Sequence, residues 1–111
     1  VEALAQRVVA EWGRVDFVIN NAGSTRGSDR VPATELPLSE WQRVLGTNLD
    51  GTFYMSRCFA QHMVAQGHGG VILNISSIAG RNRMPNTAAY ATSKAALRRS
   101  DPSNGTVPCQ K

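Results

Sequence analysis

Tyr90 and Lys94 stand four residues apart. On a helix that spacing puts both side chains on one face, about one turn apart. A phenol ordinarily titrates at about pH 10. A neighbouring ammonium favours the phenolate, so the pair is a device for moving a proton at neutral pH. The same spacing on a surface helix is also common by chance. Ser77 lies thirteen residues before Tyr90, just after an apolar run. In open α/β sheets, ligands bind at the carboxyl ends of the strands, where a serine hydroxyl can hydrogen-bond a substrate oxygen. Alternatively, Ser76 and Ser77 serve only loop backbone groups. Asn48 falls on an otherwise apolar helical stripe, where a buried amide needs partners. It is either a structural pin or part of a proton relay. Asn20-Asn21-Ala22-Gly23 follow a second apolar run. Small residues there let backbone approach a flat or phosphorylated ligand, or they form a plain turn tolerant of positive φ.

The elements that must position these residues are legible in the spacing. Residues 1–13 predict an amphipathic helix with Leu4, Val8 and Trp12 on one stripe and Ala5 and Val9 beside it. Gly13 is its stop. Residues 15–19 and 71–75 are short β-branched runs suited to buried parallel strands. Between them the spacing predicts a long helix from Ser39, as N-cap, to Ala65. Its stripe is Trp41, Leu45, Leu49, Thr52, Met55/Ser56, Phe59 and Met63, and Gly46 and Gly51 interrupt it. A last helix begins near Thr87. Strands alternating with helices predict a parallel α/β sheet with right-handed crossovers.

Composition excludes other classes. The 111 residues fit one small domain at most. No apolar run approaches the ~20 residues that cross a bilayer, and no signal peptide opens the chain. The expectation is a cytoplasmic protein without a membrane partner. Residues 1–80 hold six Arg against seven Asp/Glu, whereas residues 81–111 hold six Arg/Lys against Asp101 alone. A basic excess confined to one end, with Tyr90 as its single aromatic, does not make a nucleic-acid surface. Cys58 reads as a small buried thiol and Cys109 as a tail residue. They have no metal-ligand spacing, and no metal is expected.

Four motifs in order resemble the short-chain dehydrogenase/reductase family. They are Asn-Asn-Ala-Gly at 20–23, Asn48 within Thr-Asn-Leu-Asp-Gly, Asn-Ile-Ser-Ser-Ile-Ala-Gly at 74–80, and Tyr-Ala-Thr-Ser-Lys at 90–94. The resemblance runs from residue 1 to about Leu97. It implies a fragment of a Rossmann-type doubly wound parallel sheet, two strands with flanking helices, over residues 1–97. It implies reversible hydride transfer between NAD or NADP and a small-molecule alcohol or carbonyl substrate. Tyr90 would be the acid/base. Lys94 would assist its ionisation and hydrogen-bond the nicotinamide ribose. Ser77 would polarise the carbonyl, and Asn48 would complete the tetrad through water. Asn21, Ala22 and Gly23 would line the adenosine side of the dinucleotide. The parent would be a homo-tetramer or dimer.

The chain also departs from the family. No early G-x-x-x-G-x-G is present, the chain opens on Val1, and the family's last third is missing. The expectation is a piece of something longer. Residues 98–111 are polar and turn-rich, and a disordered tail is expected there. Two strands alone are marginal, so the isolated chain is expected to be unstable and inactive. The alternative is a non-catalytic truncated member that docks on a full-length relative through its long helix.

Overall fold

A computed structural model describes residues 1–99 and 106–107. Helix α1 spans Glu2–Trp12 and ends on Gly13 at φ 76°, as its sequence predicts. Ala5 is fully buried and Val8 and Val9 pack beside it, while Leu4 and Trp12 face solvent. The small Ala5 lets α1 dock closely by that side, which turns the predicted Leu4–Trp12 edge outward. Strand β1 is Phe17–Asn20 and β2 is Gly70–Asn74. They pair in parallel, with Val18 opposite Ile72 and Asn20 opposite Asn74.

The helix predicted from Ser39 to Ala65 forms in three stages. Helix α2 covers Leu38–Leu45, Gly46–Asp50 form one wide π-helical turn, and α3 covers Gly51–Ala65. Pro37, not Ser39, is the N-cap and supplies no side-chain bond. Proline presets the backbone there, and Ser39 falls inside the first turn. The wide turn adds a residue to the helical period, so the inward face differs from the predicted stripe. It runs Val44, Asn48, Thr52, Phe59, Met63, and it leaves Trp41 partly exposed.

Ala5, Val15, Val18, Cys58, Phe59, Met63 and Ile72 form the core between α1, α3 and one face of the sheet. Cys58 is the small buried thiol expected. The Gln66 side chain stands in for a strand partner. It accepts from the Val15 amide at 3.1 Å and donates to the Val15 carbonyl at 2.7 Å. The opposite sheet face is bare: Phe17 is 71% exposed, Ile19 63% and Leu73 51%. Both strand sequences suit burial on two faces, and only one face is covered. The Cα radius of gyration is 15.9 Å, against about 13 Å for a compact domain of this length.

Helix α4 spans Ala88–Arg99, two residues beyond the expected end of the ordered region. Thr106–Val107 make a short strand β3, antiparallel to Gly70–Val71 on the outer edge of β2. The rest of the expected tail, Cys109 included, lies outside the described residues.

One ion-pair network fixes the loop after β1 against α2. The Asp29 carboxylate is buried. It accepts from the Arg26 amide, from Thr25 Oγ1 at 3.0 Å and from Arg43 Nη2 at 3.2 Å. Arg43 also donates to Ser24 Oγ and, at 2.7 Å, to Glu40, which accepts from Ser28 Oγ at 2.8 Å.

Two predictions follow from this packing. The isolated 111-residue chain binds a hydrophobic dye through the bare sheet face and melts without a cooperative transition; a sharp two-state melt contradicts this. The second concerns Glu40. The Arg43 and Ser28 hydrogen bonds, aided by Arg26, hold its carboxyl down from 4.5 to about 2. A depressed carboxyl stabilises the fold fully above its ordinary value, and that stabilisation is lost as pH falls toward about 2. In a longer protein carrying this segment, Glu40→Gln therefore lowers Tm at pH 6. The gap to wild type closes between pH 4.5 and 2. A gap independent of pH contradicts it.

Candidate active site

The strand register sets the site. Asn20 Nδ2 donates to Asn74 Oδ1 at 2.8 Å and to Ser56 Oγ at 2.9 Å, tying β1, β2 and α3 together. A one-residue slip would break that triangle and reverse the faces of the slipped strand. With the register fixed, Asn21-Ala22-Gly23 and Ser76-Ser77 leave the sheet from adjacent strand ends. Asn21, Ala22 and Gly23 are all exposed there.

Asn48 sits on the wide turn and is completely buried. Its Oδ1 accepts from the Ser24 amide at 2.6 Å. Its Nδ2 donates to the Ser24 carbonyl at 3.2 Å and to Ser93 Oγ at 3.1 Å. Ser93 Oγ in turn donates to the Tyr90 carbonyl at 2.7 Å. Thr52 Oγ1 donates to the Asn48 carbonyl at 2.9 Å. The Asn48 amide thus bonds the loop after β1 on one side and α4 on the other.

Lys94 is buried, 5% exposed. Its Nζ donates to the Ile75 carbonyl at 2.7 Å and lies 5.8 Å from the centre of the Tyr90 ring. A buried cation is costly without partners. The carbonyl at the end of β2 is the acceptor that holds Lys94 on the Tyr90 side of α4. Tyr90 is half-buried. Among the described residues, no group hydrogen-bonds its hydroxyl.

Ser76 and Ser77 both bond backbone groups. Ser76 Oγ donates to the Lys94 carbonyl at 2.9 Å, and Ser77 Oγ accepts from the Ala79 amide at 3.2 Å. Ser77 thus caps the short 3₁₀ turn Ile78–Gly80. That turn lies directly on α4. A Cβ at Gly80 would come within 2.8 Å of the Lys94 carbonyl carbon, so only glycine permits this approach.

Gly23 completes the convergence. The position its Cβ would take lies 3.6 Å from Lys94 Nζ and 3.7 Å from Asn48 Oδ1. Gly23, Asn48 and Lys94 therefore meet at one point, and Tyr90 is one turn before Lys94 on the same helix. Sequence reasoning missed Ser24, Ser93, Arg43 and Asp29. Ser93 stands inside the Tyr90–Lys94 motif, three residues after Tyr90, and that spacing was its signal. Nothing local marked Asp29 or Arg43.

Among the described residues, no group of His, Cys, Asp and Glu could hold a metal ion. None of the described helices is long and apolar enough to cross a membrane.

The sequence profile of the short chain dehydrogenase family matches residues 1–100. The chain is 37% identical over 97 residues to 2-dehydro-3-deoxy-D-gluconate 5-dehydrogenase of Escherichia coli K12, covering 87% of this chain and 37% of that protein. It is 40% identical over 94 residues to D-threitol dehydrogenase of Mycolicibacterium smegmatis, covering 85% and 35%. Its fold superimposes on a gluconate 5-dehydrogenase from Burkholderia cenocepacia in complex with NADP and tartrate. The TM-score is 0.81 at 36% identity, over 88% of this chain and 37% of that one. It superimposes also on an NAD⁺-bound xylitol dehydrogenase, with TM-score 0.79 and 35% identity, over 86% and 36%. The chain spans little over a third of the length of these relatives. With the profile matched across residues 1–100 and the four motifs converging on one end of the sheet, the chain belongs to the short chain dehydrogenase family.

Proposed function

We propose that this chain is the central segment of an oxidoreductase that transfers hydride between NAD or NADP and a small alcohol or carbonyl compound. The observation that carries this reading is the convergence of a buried Lys94, the Tyr90 phenol and Gly23 at the carboxyl end of the strands. A dinucleotide fits these residues. Asn21, Ala22 and Gly23 form an exposed rim of small side chains beside Lys94. Gly23 leaves open the volume that a Cβ would fill. Lys94 has three N–H donors, and one is bonded to Ile75. In this reading the others reach the nicotinamide ribose.

When bound, the nicotinamide gives or takes the hydride at the substrate carbon. The protein handles the proton. In reduction the Tyr90 hydroxyl donates its proton to the substrate oxygen as that oxygen gains charge, and in oxidation the phenolate takes the proton back. Lys94 places its ammonium 5.8 Å from the centre of the Tyr90 ring. The Ser77 hydroxyl accepts from Ala79, which orients it, and donates its own proton toward the substrate oxygen. Asn48 holds the cofactor rim to α4 through Ser24 and Ser93. The chain alone lacks a second helical layer and is inactive in this reading. Phe53 and Tyr54, both exposed on α3, are the surface through which the full-length protein assembles as a dimer or tetramer. A truncated chain would dock on a full-length relative by the same surface.

In the full-length enzyme, Tyr90→Phe cuts turnover by about 10²–10⁴-fold and leaves dinucleotide binding, followed by fluorescence titration, within about twofold of wild type. Turnover that survives the substitution removes Tyr90 from the acid/base role.

A further inference from the structure

We infer that Asp29 and Arg43 form a positioning clamp for the active site, acting through Ser24. The inference rests on the functional reading above. Ser24 is the joint of two hydrogen-bond systems. Its backbone N–H and C=O are both bonded to the Asn48 amide, and its hydroxyl is bonded to Arg43. Arg43 is itself held between two carboxylates. The Asp29 side chain has no solvent exposure, whereas Glu40 lies on the solvent side. A buried carboxylate without partners would be costly. Asp29 has three, the Arg26 amide, the Thr25 hydroxyl and the Arg43 guanidinium, of which the guanidinium alone leads onward to Ser24.

A continuous thread results: Asp29, Arg43, Ser24, Asn48, Ser93 and the Tyr90 carbonyl. None of the first three residues touches Tyr90 or Lys94. Their effect is on where the 23–24 backbone sits, and the position a Cβ on Gly23 would take is 3.6 Å from Lys94 Nζ. Misplacement of a reacting group by about 1 Å costs up to about a hundredfold in rate. Arg43 also has a second branch, to Glu40. Glu40→Gln removes a charge beside Arg43 but keeps an oxygen acceptor for it, so its effect on the thread is smaller than that of Asp29→Asn.

The test uses the full-length enzyme carrying this segment, with Ser24→Ala, Asp29→Asn, Glu40→Gln and Tyr90→Phe compared. Steady-state kinetics and amide hydrogen exchange at residue 24 are both read. Ser24→Ala removes one hydroxyl and carries the test even where Asp29→Asn fails to fold. The clamp predicts that Ser24→Ala and Asp29→Asn each lower kcat about tenfold or more, with substrate KM little changed, and speed exchange at residue 24. Combining the two adds little further loss, because both cut one thread. Glu40→Gln lowers kcat and speeds exchange less than either. Wild-type kcat and exchange in Ser24→Ala overturn the clamp, as does an equal loss in Glu40→Gln. Turnover that persists in Tyr90→Phe overturns the acid/base reading instead, and the exchange data still decide the clamp.

Discussion

Among the described residues, the side chain of Asn48 bonds both the loop after β1 and α4. Its oxygen and its nitrogen hold the Ser24 backbone, and its nitrogen also reaches Ser93 on α4. It is fully buried, so each of these bonds forms where water offers no substitute and where a lost partner leaves an unsatisfied group. Asn48 lies in the wide turn at Gly46–Asp50 and shares the inward face with Val44 and Thr52.

Other contacts set the elements around that amide. The Asn20–Asn74–Ser56 triangle levels the two strand ends. Lys94 enters from α4 and is retained by the Ile75 carbonyl. Gly80 lets the turn after β2 lie on the α4 backbone, and Ser76 fastens the two together. The geometry is thus assembled by backbone groups and neutral amides around one buried cation. The bare sheet face carries no part of it. Phe17, Ile19, Val71 and Leu73 lie on the far side of the strands from α1 and α3, and their exposure is a matter of folding stability.

Much of this was legible in the sequence. The four motifs were legible because each is a local chemical oddity: an amide on an apolar stripe, small residues at a strand end, a serine pair, a phenol and an amine one turn apart. The strands, the Gly13 stop and the order of elements were legible for the same local reasons. What was not legible depends on phase or on distance. The stripe through Trp41 and Leu45 assumed a constant period, and the wide turn broke it. Leu4 and Trp12 were placed inward because their size outweighed Ala5 in the pattern, yet the small residue sets the closest approach. Asp29 and Arg43 are fourteen residues apart in a polar loop and an amphipathic helix, where a charge normally reads as a solvated surface. Their burial is a tertiary fact.

The central claim is that Asn48 couples the loop after β1 to α4. The most direct measurement is a double-mutant cycle of unfolding free energies for Asn48→Ala and Ser93→Ala in the full-length enzyme. The coupling predicts that the two losses fall short of additivity by about 1 kcal/mol or more, as for partners in one buried hydrogen-bond network. Losses that add to within about 0.3 kcal/mol would show that the two residues act independently and would contradict the account.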